Sequence, residues 1–75
     1  MKNKWNAEKF QRRLVETRTE QGLTQLEVGR YLHTSSHTIS NWEQGRTFPR
    51  PHALYALCEL YDISADWLLG LEGDY

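Results

Sequence analysis

Between Gly22 and Gly45 the chain has room for two short helices and little else. Gly22 stops whatever helix precedes it, because a residue free to adopt the left-handed conformation ends a helix at low cost. Thr24-Gln25-Leu26-Glu27 then has the form of a capping box, with the Thr24 hydroxyl facing the Glu27 N–H and the Glu27 carboxylate reaching back. A helix therefore opens at Gln25, with Leu23 and Val28 at the two staple positions and Val28, Tyr31 and Leu32 as its apolar face, and it runs to about Leu32. His33-Thr34-Ser35 breaks the pattern with residues that favour turns and caps. Ser35 is the expected N-cap of a further helix through Glu43, on which Ile39 and Trp42 share one side and Ser36, His37, Ser40, Asn41 and Gln44 fall largely on the others.

The flanking segments read as helices too. Asn6 is a good N-cap and Trp5 can staple onto Phe10, which predicts a first helix from Ala7 to about Gln21 with Phe10, Leu14 and Val15 inward. Pro49 pushes Phe48 out of α geometry, so Arg46 to Arg50 form a loop. Pro51 suits a first helical position, and Leu54, Leu57, Cys58 and Tyr61 then recur at helical spacing. Asp62-Ile63 interrupts, Ser64 caps a short fifth helix from Ala65 to about Leu69, and Gly70 closes it. The expectation is an all-α, compact five-helix domain occupying residues 1–75, with its core over about 6–70 and frayed ends. Trp42, Tyr61 and Trp67 are expected in the core, and Leu68, Leu69, Leu71 and Tyr75 are open to either core or an apolar dimer patch.

Charge placement bears on function more than the net charge of -1. Residues 1–50 hold all nine Lys and Arg against five Glu, whereas residues 51–75 hold five acids and no base. Screening confines a charge to its neighbourhood, so one end of the molecule can attract phosphates although the whole is slightly acidic. Cys58 is the only cysteine, the start Met1 to Trp5 lacks an apolar leader, and no stretch approaches the roughly 20 apolar residues that span a bilayer. A cytoplasmic setting with no membrane association is expected.

Two short helices meeting across a tight turn, the second polar outward, are the local anatomy of a helix-turn-helix, whose second helix enters the major groove of DNA. The runs Gly22-Leu23-Thr24-Gln25, Thr38-Ile39-Ser40-Asn41-Trp42-Glu43-Gln44-Gly45 and Asp66-Trp67-Leu68-Leu69-Gly70 closely resemble the lambdoid phage repressor, Cro and xenobiotic-response-element family over about residues 10–70. The resemblance implies a lambda-repressor-like fold and a prokaryotic or phage transcriptional regulator, most simply a repressor, whose partner is a double-stranded DNA operator. It implies that Gln25 contacts a phosphate and braces the recognition helix, that Ser36, His37 and Asn41 hold base-reading positions with Ser35 and Ser40 beside them, and that Arg18 and Glu43 form a partly buried ion pair. Asn41 has the clearest chemistry, since its amide both donates and accepts as adenine's major-groove edge requires. For Ser36 and Ser40, whose side chains are short, base contact and contact with phosphates alone both stay open.

Ser35, Gln44, Arg46 and Arg50 flank the reading helix and are expected at the sugar-phosphate backbone, with Arg30, Lys2 and Lys4 as further basic candidates. A domain of this size covers one half-site, so a homodimer is expected on DNA, with recognition helices about 34 Å apart. No metal or cofactor is expected: His33 and His37 are separated by the Thr34-Ser35 turn, and Cys58 with His52 makes a poor zinc set. Two other readings stay open, namely a protein-interaction module such as an antitoxin or adaptor on the same fold, and an enzyme, for which no catalytic constellation is visible.

Overall fold

The computed structural model describes residues 5–71. Five helices follow in order: α1 Ala7–Glu20, α2 Gln25–Tyr31, α3 Ser36–Gln44, α4 Pro51–Tyr61 and α5 Ala65–Leu69. Their starts are set by side chains that satisfy the orphan N–H groups of a first turn. Asn6 Oδ1 accepts from the Lys9 N–H at 2.9 Å, Ser35 Oγ from the Thr38 N–H at 3.1 Å and Ser64 Oγ from the Trp67 N–H at 3.0 Å. At α2 both halves of the capping box form: the Glu27 N–H donates to Thr24 Oγ at 3.0 Å, and the Thr24 N–H donates to Glu27 Oε1 at 2.8 Å. The Thr24 backbone N–H foremost, and then the Thr24 hydroxyl, hold the Glu27 carboxyl below the usual carboxylate range. α4 opens instead on Arg50 and Pro51, with no side-chain cap.

Phe10 and Leu14 of α1, Val28 of α2, Ile39 and Trp42 of α3, Leu57 and Tyr61 of α4 and Leu68 of α5 make one buried cluster. α1 is the backbone of the assembly, packing on both α3 and α5, while α2 packs on α3 and α4 on α5. The Asn6 N–H donates to the Leu69 carbonyl at 2.9 Å and Gln21 Nε2 to the Tyr61 carbonyl at 2.9 Å, so both ends of α1 are tied to the C-terminal helices. The Trp5 staple closes on Phe10 with ring centroids 5.6 Å apart, and it extends to Phe48 of the α3–α4 loop at 5.0 Å.

Two expectations about individual side chains are corrected, and one that was open is decided. Trp67 is not core: it lies at the surface, 36% exposed, where the Arg13 guanidinium stacks 4.5 Å from the ring centroid and Arg13 Nη1 donates to the Trp67 carbonyl. The guanidinium charge is attracted to the face of the indole, a contact that does not require burying the ring. Tyr31 is 53% exposed, because a seven-residue helix turns only two or so residues toward the core, and those are Val28 and Gly29. Leu68 is fully buried and so belongs to the core rather than to a surface patch; Leu69 and Leu71 are half-buried, and Tyr75 lies outside the described residues.

α2 and α3 are set against each other at Gly29. A Cβ there would sit 2.8 Å from the Thr34 carbonyl oxygen and 3.0 Å from the Ser35 carbonyl carbon. The bare Cα lets the turn fold back on α2, and the Thr34 N–H closes it by donating to the Gly29 carbonyl at 2.7 Å.

Candidate nucleic-acid interface

α3 has a sharply divided surface. Ile39, Trp42 and Glu43 are buried on one side. At 100° per residue His37 and Gln44 lie opposite them and are exposed, with Asn41 and Ser40 on either flank and Ser36 at the first turn, all three half-buried. Three of the four positions expected to read bases, His37, Ser40 and Asn41, thus lie with Gln44 on one outward strip about two turns long, whereas Ser36 falls on the side next to Glu43. Gln44 Nε2 donates to Ser40 Oγ at 2.7 Å, so these two side chains are joined along that strip. Ser35, at the N-cap, is committed locally: its hydroxyl accepts the Thr38 N–H and pairs with Thr38 Oγ1 at 3.0 Å.

What keeps the strip pointing outward is a buried carboxylate. Arg18 Nε donates to Glu43 Oε2 at 2.6 Å and Arg18 Nη2 donates to Glu43 Oε1 at 3.1 Å, a two-pronged contact from α1 to α3. Arg18 Nη1 also donates to the Leu23 carbonyl at 2.9 Å. Gln25, the first residue of α2, donates from Nε2 to Glu43 Oε1 at 2.9 Å. Three helices therefore meet on one side chain, and Glu43's hydrogen bond keeps the Arg18 guanidinium charged beyond its already high range. The bracing role of Gln25 is visible in this contact, and its amide retains a second N–H and an acceptor oxygen.

Arg46 and Arg50 are exposed on the segment that leaves α3, Arg46 with its N–H held by the Asn41 carbonyl at 2.9 Å. Arg30 is exposed at the end of α2, whereas Lys2 and Lys4 lie outside the described residues. Gln11 was not anticipated as part of this region. Its amide lies against Gly45, where a Cβ would come within 2.4 Å of Nε2, a contact that the flexible Gln11 side chain can relieve, so the φ of +77 at the end of α3 is what calls for the glycine.

The discounted groups stay apart. His33 sits in the α2–α3 turn with φ +59, separate from the α3 strip that carries His37. Among the described residues there is no group of three or more His, Cys, Asp or Glu arranged to hold a metal ion. Cys58 is half-buried and burial pushes its thiol up, the opposite of an activated nucleophile. No described helix is long and apolar enough to cross a membrane.

A family model described as a helix-turn-helix domain matches residues 11–74. The chain is 37% identical over 59 residues to the HTH-type transcriptional regulator ImmR of Bacillus subtilis (strain 168), covering 79% of this chain and 46% of that protein. It is 32% identical over 63 residues to the HTH-type transcriptional activator BcrR of Enterococcus faecalis, covering 84% of this chain and 31% of that protein. The chain thus spans less than half the length of these curated relatives. Its fold matches the P22 c2 repressor, solved in complex with a synthetic operator, with a TM-score of 0.76 and 30% identity over 80% of this chain and 91% of that one.

Proposed function

The chain belongs to the helix-turn-helix domain family of the xenobiotic-response-element type, and on that premise we propose that it is a sequence-specific DNA-binding transcriptional regulator that reads operator DNA with α3 and represses by occupying its site. The observation that carries this reading is the division of α3: Ile39, Trp42 and Glu43 anchor it, and His37, Ser40, Asn41 and Gln44 stand on the outward strip. A helix presenting short polar side chains fits the major groove, where each base pair has its own pattern of donors and acceptors. Asn41 pairs with an adenine edge, His37 and Ser36 read or space the neighbouring positions, and Ser40 supports them.

Affinity comes from the phosphates around that strip. Gln25, held by Glu43, offers its remaining N–H to one phosphate while Arg46 and Arg50 take others, and Ser35 and Gln44 sit at the same margin. Two copies bind side by side, one per half-site, on a pseudo-palindrome with half-sites about 34 Å apart. The work is binding rather than catalysis, and it belongs in the cytoplasm where the DNA is.

Selection of bound duplexes from a random pool tests the reading. The expected result is a retained two-fold motif that loses its preference at defined positions for Asn41→Ala and His37→Ala. Retention of the parent preference by both variants would show that α3 does not read bases, and recovery of no motif, with affinity insensitive to salt, would leave the fold serving a protein partner instead.

A further inference from the structure

Beside the strip assigned to DNA, on the other flank of α3, lies a half-open cleft of about 350 Å³ between the α2–α3 turn, α3 and the start of α4. Trp42 and Phe48 line it with aromatic rings, while Arg50, His33, His52 and Thr38 contribute polar side chains from three separate segments, the Thr38 hydroxyl being paired with Ser35 Oγ. None of the described residues lining it is acidic. The volume is at the lower end of the range for small-molecule sites, and the mixture of apolar wall with a few convergent polar groups is what such sites share.

Phe48 is 46% exposed, and its ring packs against Trp5 at 5.0 Å and Phe10 at 6.0 Å. His33 stands in the α2–α3 turn in the left-handed region at φ +59 and lines the cleft from that side. Arg50 is exposed, and among the described residues its guanidinium has no hydrogen-bond or ion-pair partner.

From this lining we propose that the cleft binds a small aromatic carboxylate. The carboxylate takes the Arg50 guanidinium with support from the imidazole N–H groups, because an excess of donors without a lining acid suits an anion. The ring takes Trp42 and Phe48 in edge or offset contact. A bare phosphate uses only the first half of this lining, which is why a carboxylate bearing a ring is favoured over an inorganic anion. An occupant engages Arg50, and so competes with the phosphate contact of that residue; this consequence rests on the DNA-binding reading, whereas the site itself does not.

Titration of the isotope-labelled full chain, without DNA, with benzoate, phenylacetate and indole-3-acetate tests the site. Saturable amide shifts confined to residues 32–34, 38, 48, 50, 52 and 53 and to the Trp42 indole are expected, with a Kd of about 0.1–5 mM for the best of the three, the affinity open to a ligand of so few atoms. Phenylacetamide, neutral and of the same shape, and the Arg50→Gln variant with phenylacetate are each expected to bind about tenfold more weakly. The proposal is overturned if none of the three carboxylates saturates, if phenylacetamide binds as well as phenylacetate, or if inorganic phosphate binds as tightly as either.

Discussion

Arg18 and Glu43 lie 25 residues apart in sequence and meet as a two-pronged ion pair, Arg18 Nε donating to Glu43 Oε2 at 2.6 Å, with side chains only 14% and 4% exposed. Removing Glu43 leaves the Arg18 guanidinium nearly out of water with the Leu23 carbonyl but no opposite charge to face. Glu43→Ala is therefore expected to cost about 2–4 kcal/mol, less than for a fully buried pair because Arg18 keeps some solvent. Thermal or urea unfolding measures it, and an unchanged melting temperature contradicts it. Replacing both residues with apolar ones of similar volume is expected to be milder than Glu43→Ala, since no uncompensated charge remains.

Gly29→Ala tests the angle between α2 and α3. The added methyl meets the Thr34 carbonyl oxygen at 2.8 Å and the Ser35 carbonyl carbon at 3.0 Å, both backbone, so the turn itself has to give way. A loss of about 1–3 kcal/mol is expected from overpacking, outweighing the gain in helix propensity. The displaced turn also carries Ser35, the N-cap of α3, so DNA affinity is expected to fall by more than in an equally destabilised variant distant from the turn. Equal affinity in the two variants would separate stability from helix placement.

Helix positions were legible in the sequence because caps are local: Asn6, Thr24, Ser35 and Ser64 each act on a residue three positions away. Exposure was less legible, because it depends on what a neighbouring helix brings. Trp67 reads as core by its chemistry, and only Arg13, 54 residues away, makes its place at the surface favourable. The outward strip of α3 follows from periodicity about Ile39 and Trp42, whereas the Gln25 contact with Glu43 crosses 18 residues and has no signature in spacing. The cleft beside α3 was hidden for the same reason, since His33, Thr38 and Arg50 belong to three different elements.

Tyr61 links the core to alkaline pH. Its ring is 2% exposed, and burial, aided by the nearby Glu43 carboxylate, pushes its phenol up to about 12. An acid whose folded value lies above its unfolded value, about 10 for a tyrosine, favours the native state while it remains neutral. That contribution is full below the unfolded value and is lost as pH rises from there through about 12. Stability is therefore expected to fall across this alkaline window, and Tyr61→Phe, which has no phenol to ionise, is expected to flatten part of the slope. Parallel pH–stability curves for parent and variant would refute the assignment.

Arg46 and Asn41 separate the two kinds of DNA contact. Arg46 is exposed just past Gly45, where its guanidinium can release a condensed cation from a phosphate without touching a base, so Arg46→Ala is expected to weaken all duplexes alike. The slope of log K against log salt is then expected to fall by about 0.9, the value of one phosphate contact. Asn41, on the outward strip, carries no charge, so Asn41→Ala is expected to leave the salt slope unchanged. It is expected to reduce discrimination at one base pair by about 1–3 kcal/mol. Salt titrations of both variants against the selected site and a single-substitution site give the two numbers independently. An exchange of these signatures, with Asn41→Ala changing the slope and Arg46→Ala the preference, would mean that DNA lies across the C-terminal loop rather than along α3.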